Sequence, residues 1–342
     1  MARANMASAN TASAARKALI CGVTGQDGSL LAKHLLSQGY AVHGTTRDAQ
    51  ACQLINLQRL GCDQQLTLHS MAPHDFRSVF GVLHAVKPQE VYYLAGQSSV
   101  GLSFEQPVEA FESIQAGILN VLEAIRIVDP GMRLFHAGSS DCFGSTDAGP
   151  ADEHTPFRPR SPYGVAKSAA TWTVSNYRDS YGLFACTGIL FNHESPLRSE
   201  RFVTAKIVHQ ARRIAQGQQS VMLLGNTKLV RDWGWAEEYV AAMALMLKHD
   251  EPEDFVLGTG ESISLQAFLE TVFEAFGLDV AKHVRQDPSL SRPLDIAVSR
   301  CNPAKAQQLL GWRASTGPKA VAHRLCGTLM QTSMSAPKAL HA

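Results

Sequence analysis

Three glycines at three-residue spacing punctuate the loop Gly22-Val23-Thr24-Gly25-Gln26-Asp27-Gly28, and few backbone paths accommodate such a loop between the segments that flank it. Before it lies the apolar run Ala18 to Val23, and after it the amphipathic stretch Ser29 to Gln38. Glycine has no side chain to obstruct a tight strand-to-helix turn. Its backbone can approach a pyrophosphate, whose charge the helix N-terminus stabilises. A ligand-free glycine turn is the competing reading, but the strand before and the helix after weigh for a dinucleotide-binding fingerprint. The same rhythm continues downstream. Strands are expected at Ala41 to Thr45, Leu66 to His69, Glu90 to Leu94, Leu134 to Ala137 and Ala185 to Phe191, with helical patterns such as Phe76 to Val86 and Val108 to Val128 between them. Strands that alternate with helices predict a parallel sheet covered on both faces, which is a doubly wound α/β fold.

That Rossmann-like sheet does not account for the whole chain. After Phe191 the rhythm loosens: Asn192 to Arg201 is polar and turn-rich, and a helix is expected from Arg201 to Gly217. Glu237 to Lys248 and Phe255 to Gly258 read as a helix and a strand able to rejoin the sheet, while Ser264 to Trp312 carries helices broken by Pro288, Pro293 and Pro303. The expected division has a disordered tail over 1–16 and a dinucleotide-binding domain over 17–191 and 229–259. A smaller, mostly α substrate-binding domain covers 192–228 and 260–327, with a flexible tail over 328–342. In such folds ligands bind in the crevice at the C-terminal edge of the sheet.

Charge and cysteine content remove several function classes. Lys plus Arg number 31 against 30 Asp plus Glu, which leaves no electrostatic footprint for nucleic acid or an anionic membrane. Arg47, Arg198, Arg201, Arg212 and Arg213 are scattered along the chain and suggest no basic patch. No apolar run reaches the roughly 18 residues that a membrane span needs. The seven cysteines are an odd number without a Cys-x-x-Cys pair, which fits neither a disulfide framework nor a zinc site. Free thiols in a reducing compartment, and hence a cytoplasmic protein with no metal, are expected. The Ala- and Ser-rich N-terminus lacks the apolar core of a secretory signal.

Two further groups carry chemistry. At the end of the second strand Arg47 precedes Asp48; an acidic residue there holds the ribose 2′-hydroxyl of NAD, whereas an arginine suits the 2′-phosphate of NADP. The order favours NADP. Tyr163 and Lys167 stand four apart at the start of a helix and share one face. A neighbouring ammonium lowers a phenol's pKa, so Tyr163 can serve as a base. Alone such a pair is commonly structural, but Ser139-Ser140-Asp141 lies at the end of the fifth strand, beside the ligand-binding edge. Serine, tyrosine and lysine on these elements resemble the catalytic set of the short-chain dehydrogenase/reductases.

Longer blocks narrow the resemblance. The glycine loop, Leu94-Ala95-Gly96-Gln97-Ser98, Pro159-Arg160-Ser161-Pro162-Tyr163, Phe191-Asn192-His193-Glu194-Ser195-Pro196, Arg231-Asp232-Trp233-Gly234, Arg292-Pro293 and Asn302-Pro303-Ala304-Lys305-Ala306 are similar to the GDP-mannose 4,6-dehydratase family, from about Lys17 to Trp312. The resemblance implies a tightly held NADP that stores a hydride transiently. It makes Tyr163 the base at the sugar 4-hydroxyl, with Lys167 holding the nicotinamide ribose and Ser139 positioning the 4-oxygen. Asp141 is then the carboxylate that removes the C5 proton as water leaves C6. Cofactor contacts implied are Gly22, Thr24, Gly25, Gln26, Asp27, Gly28, Arg47, Leu94, Ala95, Gln97, Tyr163, Lys167, Leu190, Asn192 and His193. Those to a GDP-sugar are Ser98, Ser140, Asn192, Glu194, Val203, Lys206, Arg231, Arg292 and Asp295.

Departures from the family pattern keep a second reading open. The family reads Ser/Thr-Ser-Glu where this chain has Ser139-Ser140-Asp141. Aspartate is one methylene shorter, which withdraws the carboxylate by roughly 1.5 Å. The alternative is a reductase or epimerase acting on a GDP-4-keto-6-deoxy sugar, and a 4-reductase needs no C5 base and tolerates that change. Lys206 on the polar face of a helix and Arg231-Asp232 as a surface ion pair are the competing structural readings of those residues. Enzymes of this kind form homodimers or homotetramers, and the loop Ala49 to Arg59 lacks the paired arginines that accompany tetramers.

Overall fold

The computed structural model describes residues 15–290 and 293–334. Strands and helices alternate from the start: β1 (Lys17–Cys21), α1 (Gln26–Ser37), β2 (Ala41–Thr46), α2 (Ile55–Arg59), β3 (Thr67–Ser70), α3 (Phe76–Val86) and β4 (Glu90–Tyr93). Then α4 (Val100–Glu105), α5 (Pro107–Phe111) and α6 (Gly117–Val128) lead to β5 (Arg133–Ala137), and α7 (Pro162–Tyr181) leads to β6 (Ala185–Leu190). Shorter strands follow, β7 (Asn192–Glu194), β8 (Met222–Leu224), β9 (Val230–Arg231) and β10 (Trp233–Trp235), with α8 (Val203–Ala215) among them. The chain continues through α9 (Ala236–Met246), β11 (Phe255–Leu257), β12 (Ile263–Ser264), α10 (Leu265–Ala275), α11 (Val280–His283) and β13 (Val284–Gln286) to α12 (Ala304–Leu310) and α13 (Pro318–Met334).

The main sheet is parallel, in the order β11-β6-β5-β4-β1-β2-β3. Every residue of β4 and β6 is buried, as strands covered on both faces must be. One apolar layer joins the sheet to α1 and α9 through Leu31, Leu35, Val240 and Met243; the opposite layer joins it to α3, α6 and α7 through Leu83, Ile118, Leu122 and Val174. A third core, with Ile207 and Val208 of α8, Trp233, Phe268 and Phe273 of α10, and Leu325 of α13, builds the smaller domain. Chain direction across the sheet reverses between β1 and β4, which opens a crevice at the strands' C-terminal ends.

Three expectations need correction. The single helix over 108–128 contains a π-helical turn, Glu112–Ala116. Within it the Tyr93 hydroxyl donates to the Ser113 carbonyl at 2.7 Å, and a Cβ at Gly117 would collide with that hydroxyl. Residues 304–314, grouped by pattern with the smaller domain, return to the sheet layer. Ala306, Trp312 and Ala314 are buried there, and the Trp312 indole N–H donates to the Glu238 carbonyl at 2.9 Å. The flexible tail expected from 328 begins with helix, because Val321, Ala322, Leu325 and Cys326 of α13 sit in the third core and carry the helix on to Met334. Of the tails expected over 1–16 and 328–342, residues 1–14 and 335–342 lie outside the described residues, as does Arg292. Among the described residues no helix is long and apolar enough to cross a membrane.

Candidate active site

The glycine loop is held from three sides. Gly22 takes φ +86°, and its N–H and that of Val23 donate to the Thr45 carbonyl of β2 at 3.2 and 3.3 Å. The Ser29 hydroxyl donates to the Val23 carbonyl at 2.9 Å, and the Asn56 amide of α2 to the Thr24 carbonyl at 3.1 Å. Gly25 caps α1 with no side-chain hydrogen bond, so the first-turn amides point out of the helix end. A Cβ at Gly28 would collide with the Gly22 carbonyl and stand 2.7 Å from the Val23 Cα. Backbone atoms cannot yield as side chains do. Gly28→Ala is therefore expected to cost about 1–3 kcal/mol despite the better helix propensity of alanine, measured by chemical denaturation.

Arg47 and Asp48 divide their tasks. The Asp48 carboxylate accepts the N–H groups of Gln50 and Ala51 at 2.9 and 3.1 Å and so caps its own turn. The Arg47 side chain is 86% exposed, with the Glu109 carboxylate at 3.7 Å.

Ser139, Asp141, Tyr163 and Lys167 converge where β5 and α7 meet. Ser139 caps the 3-10 turn Ser140–Cys142 by accepting the Asp141 N–H at 3.3 Å. Its hydroxyl lies 3.5 Å from the Asp141 carboxylate and also hydrogen-bonds Tyr163. Ser161 caps α7 through the Gly164 N–H at 3.0 Å, and Pro162 opens the helix, which fixes Tyr163 in its first turn and Lys167 one turn on. The Lys167 ammonium donates to the Ala137 carbonyl at 2.7 Å and stands 5.9 Å from the Tyr163 ring centroid. Burial brings its pKa down to about 8. Burial, reinforced by the Asp141 charge, pushes the Tyr163 phenol up; the Ser139 hydrogen bond and the Arg198 charge act the other way. In the chain as it stands the phenol is thus held above its ordinary value, with the Lys167 ammonium turned toward the Ala137 carbonyl.

A second convergence joins α1 to β7. His193 Nε2 is 2.9 Å from Asp27 Oδ2, and Nδ1 is 2.7 Å from the Phe191 carbonyl. Both partners only accept, so both ring nitrogens must carry hydrogen and the imidazole is cationic. Burial alone would lower its pKa, but Asp27 raises it. Burial likewise works to raise Asp27, yet His193, with help from Gln26 and Arg198, holds that carboxyl at about 2. The Gln26 amide donates to the His193 carbonyl at 3.2 Å and accepts the Ser195 hydroxyl at 2.9 Å.

Arg198 was counted among the scattered arginines, yet its guanidinium acts on Asp27, Tyr163, His193 and Glu194 together. It lies 3.6 Å over the Phe202 ring and 3.4 Å from Glu194. Its position two residues after Pro196 was the only signal in the sequence. Glu194 is buried, and burial raises its pKa against the pull of Arg198 and Thr204.

The remaining candidates lie on loops at the same edge and on the smaller domain. Leu94, Ala95, Gln97 and Ser98 follow β4, where the Gln97 N–H donates to the Ser113 hydroxyl at 3.2 Å. Ser140 is buried in the turn after β5; Leu190 ends β6, and Asn192 opens β7, which pairs with β10. Val203 opens α8, and Lys206 one turn on donates to the Leu223 carbonyl at 3.0 Å. Arg231 donates to the Val230 carbonyl at 2.8 Å and lies 3.9 Å from Asp295. Asp232 does not form the surface pair that sequence allowed: it is fully buried and accepts from Thr259 and Gly260.

A doubly wound sheet with a glycine loop after β1 and a Ser-Tyr-Lys set after β5 defines an extended short-chain dehydrogenase/reductase fold. The chain belongs to the GDP-mannose 4,6-dehydratase family of hydro-lyases, whose family model, described as GDP-mannose 4,6 dehydratase, matches residues 19–325. It is 43% identical over 310 residues to GDP-mannose 4,6 dehydratase 1 of Arabidopsis thaliana, covering 88% of this chain and 86% of that one. To the GDP-mannose 4,6-dehydratase of Vibrio cholerae it is 39% identical over 353 residues, covering 93% and 94%. Among solved structures, a UDP-glucose 4-epimerase of Thermus thermophilus in complex with NAD matches with a TM-score of 0.78 at 28% identity, over 91% of this chain and 99% of that one.

Proposed function

We propose that this protein removes water from GDP-mannose or a close GDP-sugar, giving the GDP-4-keto-6-deoxy sugar, with NADP bound. The observation that carries the reading is the Ser139 hydroxyl within reach of both the Asp141 carboxylate and the Tyr163 phenol. A dehydratase needs all three at one carbon pair, whereas a reductase has no use for the carboxylate.

The chain's residues fit a dinucleotide: the absence of a Cβ at Gly22 and Gly28 lets the loop close on the backbone of Ala95 and of Gly22 and Val23, the first-turn amides of α1 point outward, and Arg47 stands open. With Asp48 occupied in its turn, an arginine and not a carboxylate meets the ribose, which supports NADP over NAD. Held there, the dinucleotide would supply a transient hydride acceptor for C4 and donor for C6, so that the reaction has no net redox change. Tyr163 removes the 4-hydroxyl proton as Ser139 holds that oxygen, and Lys167 braces the ribose. The 4-ketone acidifies C5–H, and Asp141 removes that proton and delivers it to the C6 hydroxyl, which departs as water. Lys206 and Arg231, with Asn192, Glu194, Ser98 and Asp295 around them, suit the nucleotide and its pyrophosphate.

The shorter Asp141 side chain favours a second reading, in which the protein reduces or epimerises a GDP-4-keto-6-deoxy sugar with NADPH. Incubating the protein with GDP-mannose and catalytic NADP, without reductant, separates the two. Loss of one water from the nucleotide sugar is expected. An unchanged mass, with NADPH consumed stoichiometrically on the 4-keto sugar, would leave the reductase. Val165 and Trp172, 42% and 60% exposed and seven apart on α7, support assembly into a homodimer or homotetramer. The free cysteines support a cytoplasmic setting.

A further inference from the structure

Asp27 is the only acidic residue in the first turn of α1. A carboxylate there suits the helix dipole but repels a pyrophosphate arriving at the same end. The structure places a cation against it from 166 residues away, with His193 Nε2 at 2.9 Å and both ring nitrogens on acceptors. The Tyr239 ring of α9 stacks on the imidazole at 4.5 Å between centroids. The Gln26 bonds to Ser195 and the His193 carbonyl tie the same two segments a second time.

We infer that His193 is a positioning residue for the dinucleotide: it acts through Asp27, cancelling that charge and clamping the first turn of α1 onto β7. The inference rests on the nicotinamide dinucleotide reading above. It differs from a direct contact, in which His193 would serve the cofactor whether or not Asp27 were charged. Other charged groups face the pair: Lys167 of α7 acts on Asp27, while Arg198 and Glu194 of the 192–198 segment act on His193 and Asp27 or are acted on by them. His193, raised above its ordinary value, keeps its proton to higher pH than a free imidazole and loses it on further alkalinisation, while Asp27, held at about 2, stays ionised. Alkaline pH therefore leaves an uncompensated carboxylate beside the cradle, and dinucleotide affinity falls.

Titration of the protein with NADPH and with NADH tests this through a double-mutant cycle. His193→Asn is expected to weaken NADPH binding about tenfold in the parent and less than about twofold in an Asp27→Asn background. Equal weakening in both backgrounds overturns the inference in favour of direct contact, and no weakening in either overturns it outright. If His193→Asn does not fold, the pH profile decides without it: the alkaline loss of affinity should be steeper in the parent than in Asp27→Asn, and parallel profiles would refute the coupling. Failure of the parent to bind either dinucleotide would instead refute the cofactor reading.

Discussion

Replacing Tyr163 with phenylalanine is expected to lower turnover of GDP-mannose by about three orders of magnitude, within the range of about 10² to 10⁴ that one positioned proton-transfer group contributes. The ring is buried at the first turn of α7, and phenylalanine preserves its packing, so stability should change by less than about 1 kcal/mol beyond the lost Ser139 hydrogen bond. What disappears is the oxygen proposed to accept the 4-hydroxyl proton. Burial and Asp141 both oppose ionisation of this phenol, and the nearby cations able to favour it are Arg198 and Lys167. Mass analysis of the nucleotide sugar, beside thermal unfolding of the variant, separates lost chemistry from lost fold. A variant that dehydrates at the parent's rate would move the base elsewhere.

Asp141→Asn should act on a different step. The amide keeps the size of the side chain and the turn capped by Ser139, but it cannot take a proton from C5. Water loss is expected to fall by a factor of about 10² to 10⁴, while oxidation at C4, read as nicotinamide reduction in a single turnover, persists. Misplacement by about 1 Å already costs on the order of a hundredfold, so the parent itself tests whether the Ser140–Cys142 turn brings the shorter carboxylate within reach. Dehydration that survives in Asp141→Asn would identify another base and remove the central support for the dehydratase reading.

These predictions use features of unequal visibility in the sequence. The glycine loop, the strand-helix alternation and the Tyr163–Lys167 spacing were legible because each is decided within one or two turns of chain, where periodicity and missing side chains act directly. Phe255–Leu257 was also legible as a strand able to rejoin the sheet, and it pairs with β6. Less visible were the π-helical turn, which depends on a hydroxyl from β4, and the return of 304–314 to the sheet layer, which depends on where Trp312 finds a buried site.

The site divides in the same way. Sequence by itself determined the doubly wound fold, the glycine loop between β1 and α1, and the presence of a serine, a tyrosine and a lysine on the elements that meet at its edge. Tertiary structure decided which charges meet. It paired Asp27 with His193, brought the Arg198 charge to bear on Tyr163, buried Asp232 against Thr259, and turned Lys167 toward Ala137. Local pattern follows from backbone geometry and the burial of one face. Electrostatic partnership falls off over a few ångströms of space, and residues 166 positions apart acquire it only when the fold brings them together.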